Sequence, residues 1–288
     1  TARLRTRLDA LSVSFDAGPV DIIAGRQPVS FGTSRFVSVL DVVAPFAPGD
    51  LDATYKPGVD ALRIRTGLGR AGEFEVVGVG ARPWGGGALV GVGRSSFRGV
   101  DAIMMGGRFR HRGFGGLAWD GDMGSFGLWG EIAAFERRPA VEKWRGGWSK
   151  AAFSGVAGVD FYLPWRVRTG MGVMYQDFGA RHPGDLVSVY ADAPYREGWA
   201  FLGSAGYGLV TLHRQIHPLV NADAAGLVNA VDGSTLWQPR VTVSVSDNAD
   251  LAFYGWIGTG RKPNIENVML APRSEFGMFP DGGGVYAR

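Results

Sequence analysis

The side chains best able to do chemistry are arginines and carboxylates set two residues apart. Arg3, Arg5, Arg7 and Asp9 form one such run; Arg63 with Arg65, Glu73 with Glu75, Arg108 with Arg110 and Arg166 with Arg168 form others. A strand turns every second side chain to the same face, so this spacing places like charges in a row along one side of a sheet. A row of guanidinium groups makes or breaks no bond by itself. It acts through its field, raising the local concentration of anions and sorting solutes by charge. Phase along the strands assigns to one inner wall Arg3, Arg5, Arg7, Arg63, Arg65, Arg108, Arg110, Arg166, Arg168 and Arg240, partnered by Glu73, Glu75, Glu131 and Asp9. The carboxylates damp an anion-selecting field, and a hydrated wall held together by ion pairs is an equally open reading of the same residues.

Other chemistry is poorly supplied. The sequence has no cysteine, so disulfides, thiolate metal sites and cysteine nucleophiles are excluded. His111, His182, His213 and His217 lie apart, without the spacing that puts two ligands on one face. A hydrolase-like set would have to be assembled from pairs such as Asp185 with His182 or Ser204 with His213, and nothing in their spacing brings them together. The reading is therefore of a protein that is not an enzyme and carries no metal or cofactor. Gly-x-Gly triplets such as Gly78-Val79-Gly80 and Gly91-Val92-Gly93 fall inside strands and not at a strand-to-helix turn, which argues against a phosphate loop. A net charge of +3 is spread along the chain with no basic block, so nucleic acid is not an expected partner.

The elements that must position the charged rows are strands. With 46 glycines among 288 residues, a helical protein would lose about 1 kcal/mol at each helix-interior glycine relative to alanine, whereas a curved sheet uses glycine for bends and close approach. No apolar run reaches the ~20 residues of a spanning helix. Period-two alternation is plain instead: in 165–176, Trp165, Val167, Thr169, Met171, Val173 and Tyr175 oppose Arg166, Arg168, Gly170, Gly172, Met174 and Gln176. The segment 237–246 repeats the pattern, and near the start the phase slips at Ala10, as a β-bulge would make it do.

Turn-forming clusters divide the chain into strands near 3–16, 20–32, 58–68, 73–81, 87–97, 100–110, 114–119, 125–136, 148–162, 165–178, 198–216, 219–228, 236–246 and 250–258, with a further strand beginning at Gly284. Tight connections at Ala17-Gly18-Pro19, Gly69-Arg70-Ala71-Gly72, Arg98-Gly99, Leu163-Pro164, His217-Pro218 and Asp247-Asn248-Ala249 alternate with mostly longer ones, the longest being 33–57, 179–197 and 259–283. That asymmetry is the habit of transmembrane β-barrels. The expected fold class is all-β, an antiparallel up-and-down transmembrane barrel forming a single domain over 1–288. About 14 complete strands are visible and about 16 are expected in the full protein, one preceding Thr1 and the last cut short. Trp84, Trp148, Trp165, Trp199, Trp237 and Trp256 are assigned outward, as an aromatic girdle at the headgroup level, against the alternative of a soluble sandwich core. Within the first long loop, Val39–Val43 could form a short helix; the loop is expected to cap the barrel from outside, with an inward fold that narrows the lumen as the alternative.

With the strands in place, Gly25-Arg26-Gln27-Pro28-Val29-Ser30-Phe31-Gly32, Tyr55-Lys56-Pro57-Gly58-Val59-Asp60-Ala61-Leu62-Arg63 and Asp232-Gly233-Ser234 resemble phrases of porin-like bacterial outer-membrane proteins, including alginate-export-type channels. The resemblance implies an outer-membrane channel and supplies no binding residues. The expected partners are outer-membrane lipid and small hydrophilic solutes, with a homo-oligomer or other cell-envelope proteins as further candidates. The expected activity is passive diffusion through an aqueous pore, with an anion preference from the arginines. The alternative is a barrel that serves as scaffold or export conduit in a larger envelope complex.

Overall fold

Strand pairing in the computed structural model follows chain order. The structure describes residues 10–43, 58–80, 86–137, 151–266 and 269–287. Fourteen strands come first: β1 (Leu11–Ala17), β2 (Val20–Gln27), β3 (Val59–Leu68), β4 (Gly72–Val79), β5 (Ala88–Phe97), β6 (Val100–Phe109), β7 (Arg112–Met123), β8 (Phe126–Glu136), β9 (Ala151–Leu163), β10 (Val167–Gln176), β11 (Gly206–His217), β12 (Val220–Asn229), β13 (Thr235–Ser246) and β14 (Ala249–Thr259). A small ribbon of β15 (Asn264–Glu266) and β16 (Met269–Ala271) follows, and β17 (Gly282–Ala287) then pairs with β14, giving one sheet of 15 strands. Each strand lies antiparallel to its neighbour, as in an up-and-down barrel. Among the described residues no pairing joins β1 to β17. Two short helices, α1 (Leu186–Tyr190) and α2 (Ala193–Arg196), lie between β10 and β11.

Turn chemistry separates the two ends of the barrel. Arg98 and Gly99 both take positive φ between β5 and β6, the two-residue reversal whose twist matches the flanking strands. Similar short turns join every odd strand from β1 to β13 to its successor, while all but one of the return connections are longer. The exception is Arg110-His111, also a positive-φ pair, between β6 and β7.

Strand limits differ from the sequence reading where the chain leaves the sheet inward. The strand expected over 20–32 ends at Gln27, because Pro28 has no N–H to give a ladder, and the one expected over 198–216 begins at Gly206. Segment 39–43 forms bends and no helix, since the N–H groups of Val39 and Leu40 are taken by a side chain of β8. The bulge expected at Ala10 borders 1–9, outside the described residues; register shifts occur instead at Gln215/His217 and Ser244/Ser246.

Alternation sorts the two faces. Leu62, Ile64, Phe74, Leu89, Met104, Leu117, Ile132, Met171, Val173, Phe253 and Val285 are exposed, whereas Ala61, Glu75, Val77, Val90, Met105, Ala118, Glu131, Ala133 and Met174, on the opposite parity, are buried. A lone sheet in water could not bury one face so completely, so the sheet must curl around a filled interior while its apolar outside meets hydrocarbon. Trp237, outward on β13, lies against Gly226 of β12, where any side chain would collide with its ring.

This orientation predicts that Met171→Arg, near the middle of β10 on the outer face, lowers stability by ~2–4 kcal/mol. Gln215→Arg, on the inner parity of β11, should change it by no more than ~0.5 kcal/mol. Urea titration of refolding into phospholipid vesicles measures both.

Candidate functional site

The inner face is graded along the barrel axis. At the ends of strands nearest the longer connections it carries Val77, Val90, Phe109, Phe114, Phe135, Ala152, Met174, Tyr207, Leu227 and Leu236, all buried in one apolar cluster. Nearer the short turns the same parity carries Arg63, Arg65, Glu73, Glu75, Arg94, Asp160, Arg168, His213, Asp223 and Arg240. A dry half therefore sits above a wet half.

The segment after β2 separates them. Residues 28–43 turn into the barrel, burying Val29, Phe31, Leu40 and Val42, so the described part of the first long loop is an inward fold and not an external cap. Residues 44–57 lie outside the described residues. One carboxylate holds the segment: Glu131 of β8, 0% exposed, accepts from the backbone N–H of Thr33 at 2.6 Å and Ser34 at 2.5 Å through Oε1. Through Oε2 it accepts from Ser38 Oγ at 2.8 Å, Val39 N at 2.8 Å and Leu40 N at 3.3 Å. The base of the segment is tied by Asp41, which accepts from Phe31 N at 2.6 Å, Gly32 N at 3.2 Å and Ser30 Oγ at 2.8 Å. Leu40 fills the hollow left by Gly116 on β7, a position where a Cβ would strike its side chain.

Below the segment the charges are paired. Arg35 Nε reaches Asp160 Oδ2 at 2.7 Å and Arg35 Nη1 reaches Asp120 Oδ2 at 2.9 Å, while Arg168 adds a 3.1 Å contact to Asp160. Trp129 Nε1 donates to the other Asp160 oxygen at 3.2 Å. On β3–β5, Glu75 is 0% exposed and accepts from Arg63 at 2.5 Å and Arg94 at 2.8 Å, with Arg65 at 3.6 Å; Glu73 meets Arg94 at 2.9 Å and Arg65 at 3.6 Å. Three guanidinium groups thus share two carboxylates. Across the interior, a cavity of about 490 Å³ lies between Arg35 and Phe36 of the inward segment and the wall of β11–β14.

The dry half is closed by the later loops. Trp199 packs among Phe109, Phe135 and Phe178 with ring centroids 4.5–6.5 Å away, and the buried Arg112 joins Glu197 at 3.2 Å beneath it. Glu275, from the connection between β14 and β17, accepts from Tyr207 Oη at 2.5 Å, Gly203 N at 2.6 Å, Asn229 Nδ2 at 2.7 Å and Tyr190 Oη at 3.0 Å. Burial pushes its carboxyl above the usual carboxylate range, against the pull of those donors.

The sequence-assigned wall residues divide accordingly. Arg63, Arg65, Glu73, Glu75, Glu131, Arg168 and Arg240 stand on the inner parity; Arg3, Arg5, Arg7 and Asp9 fall outside the described residues. Arg108 is a correction. It shares the outer face with Met104 and with its partner Leu89, 61% exposed, because Met105 and Phe109 take the inner parity. Arg110 and Arg166 are also corrections: both are turn residues at positive φ, off the strand wall. Arg112, read as part of a connection, is an inner residue of β7, and its shared parity with Phe114 and Ala118 was the available signal. Among the tryptophans, Trp199 and Trp256 turn inward, Trp165 is exposed in the turn before β10, and Trp84 and Trp148 lie outside the described residues.

Removing the central carboxylate should release the segment, because each buried N–H left without a partner costs ~1–3 kcal/mol. Hydrogen exchange read by mass spectrometry is expected to show faster exchange over 33–40 in Glu131→Ala, with β7–β9 still protected. Glu131→Gln, which keeps one acceptor oxygen, should fall between. Unchanged protection over 33–40 in Glu131→Ala would remove this carboxylate as the anchor.

No family model and no curated protein matches the chain in sequence. The fold matches solved structures. One is Wzi, an outer-membrane protein involved in group 1 capsule assembly in Escherichia coli and a carbohydrate-binding β-barrel, with a TM-score of 0.56 and 10% identity over 86% of this chain. OccAB4 of Acinetobacter baumannii gives 0.53 and 9% over 96%, and OccK8 (OprE) of Pseudomonas aeruginosa gives 0.51 and 9% over 86%. The matched regions span 66% of Wzi, 74% of OccAB4 and 75% of OccK8. At identities of 9–10% the likeness establishes the fold, a transmembrane β-barrel of the bacterial outer-membrane type.

Proposed function

We propose that the protein is an outer-membrane channel for passive diffusion of small hydrophilic solutes, narrowed from within by residues 28–43. The observation that carries this reading is the wet half of the lumen, where a cavity of about 490 Å³ is bordered by Arg35 and the inner-face charges of β11–β13. The inner-face arginines and carboxylates, Arg63, Arg65, Glu73, Glu75, Arg168 and Arg240 among them, would line the path. Arg63, Arg65 and Arg94 share Glu73 and Glu75, and Asp21 stands opposite Arg65 on the same face, so that wall has no excess of positive charge and its arginines support at most a weak anion preference.

The packed apolar half favours a second reading. A barrel whose long-connection end is filled by Trp199, Leu202 and Phe276 would pass material only when those loops move, as they could on docking to another envelope protein. Scaffold or export conduit within a larger assembly is the form this takes, and the likeness to a barrel involved in capsule assembly lends it support.

Planar-bilayer recording across a salt gradient decides between them. A diffusion channel is expected to give small, discrete conductance steps with a reversal potential displaced slightly toward anions. A cation-favouring reversal potential would remove the anion preference, and a barrel that stays sealed, with a stable heteromeric complex in mild detergent, would replace the channel by the conduit.

A further inference from the structure

Two aromatic rings pave one side of the cavity. Tyr254 and Trp256 share the inner parity of β14, and the register sets them opposite Gly284 and Gly282 of β17. Each ring leans over its own glycine, so closely that a Cβ there would collide with it. The ring planes are within 17° of parallel and their centroids are 6.1 Å apart. Both residues line the cavity, and together the two rings give it a continuous aromatic side. Tyr286 continues the surface 5.9 Å from Tyr254, with the Arg240 guanidinium 5.4 Å from its ring centre.

We propose that this paved wall is a binding subsite for a neutral saccharide, which names the solute class of the channel reading and rests on it for access to the lumen. A pyranose ring has a flat face of C–H groups, and the negative face of an aromatic ring attracts such weakly positive hydrogens. Its rim of hydroxyls both donates and accepts, so it needs neighbours of both kinds. Asn221 and Gln238 supply donor and acceptor together, and Asp223 supplies an acceptor, all on the cavity wall. The charged groups beside them have partners: Asp223 lies 2.7 Å from His213 and opposite Arg240 in the register, and Arg35 meets Asp120 and Asp160. A charged solute would have to displace these pairings, and a purely apolar one would strip water from the amides without replacing it. The cavity is of the size that small-molecule sites have, ~300–1,000 Å³.

Saturation-transfer NMR on the full chain in detergent, with maltotriose and cellotriose as probes, tests the subsite apart from conduction. Transfer to the sugar C–H protons is expected. Trp256→Ala and Tyr254→Ala, each shown to be folded by heat-modifiable gel mobility, should bind roughly ten-fold more weakly, the size of one aromatic stacking contact. Trp256→Phe should recover part of the loss, and Trp165→Ala, in an exposed turn, should bind as the unaltered protein does. No transfer to either sugar, or equal transfer in both alanine variants, overturns the subsite. Ion conduction without sugar binding would overturn the subsite and leave the channel, whereas sugar binding by a sealed barrel would do the reverse.

Discussion

Hydrocarbon offers a backbone N–H nothing to bond with, and that single constraint shapes the molecule from the outside in. Each strand must find partners on both sides, so the chain runs up and down with each element beside its successor. The same lateral pairing forces side chains to alternate, and lipid accepts only the apolar half of them. Everything polar within the strands is therefore sent to the interior. A barrel with fifteen or more strands encloses more space than their own side chains can fill, so loops must enter it.

What enters is decided largely by one carboxylate. Glu131 sits where the apolar and charged halves of the inner wall meet, a place where an ionised group would be costly unless well supplied with donors. It is supplied by four backbone N–H groups and a hydroxyl of the inward segment. The interaction is reciprocal, since those N–H groups belong to residues that form no ladder and would otherwise be buried unpaired. Leu40 then points up into the cluster beside Gly116, and Arg35 points down to Asp120 and Asp160. The segment 28–43 thus sorts its own side chains between the dry and wet compartments it creates.

The strands and their phases were legible because period-two alternation survives wherever lipid lies on one side: Met171, Val173 and Tyr175 could be assigned outward from sequence alone, and they are. Legibility fails at strand ends. Arg108 obeys alternation, but counting it inward required ignoring Phe109 beside it; Arg110 and Arg166 sit in turns, where phase has no meaning. Tryptophan type was misleading for the same reason that composition is: Trp199 fills a packed core and Trp256 lies over a glycine of the next strand, and neither circumstance is written in the residue itself. The inward fold stood only as the alternative to an external cap because its anchor is nearly a hundred residues away in the chain, at Glu131.

Pairing also changes what the arginines can do. A guanidinium held against a carboxylate presents a dipole to a passing solute, and a dipole's field fades faster with distance than a charge's. On β3–β5 three guanidinium groups share two carboxylates, with Asp21 of β2 opposite Arg65, while β11–β13 on the far side of the sheet offer a histidine–aspartate pair, Arg240 opposite that aspartate, and two amides. A solute in the wet half is thus held between two walls whose charges are largely paired. Such a lumen acts weakly on net charge and strongly on the arrangement of donors and acceptors within a molecule. Selection of that kind requires close approach, and the constriction made by Arg35 and Phe36 against the β11–β14 wall is the place where the described structure enforces it.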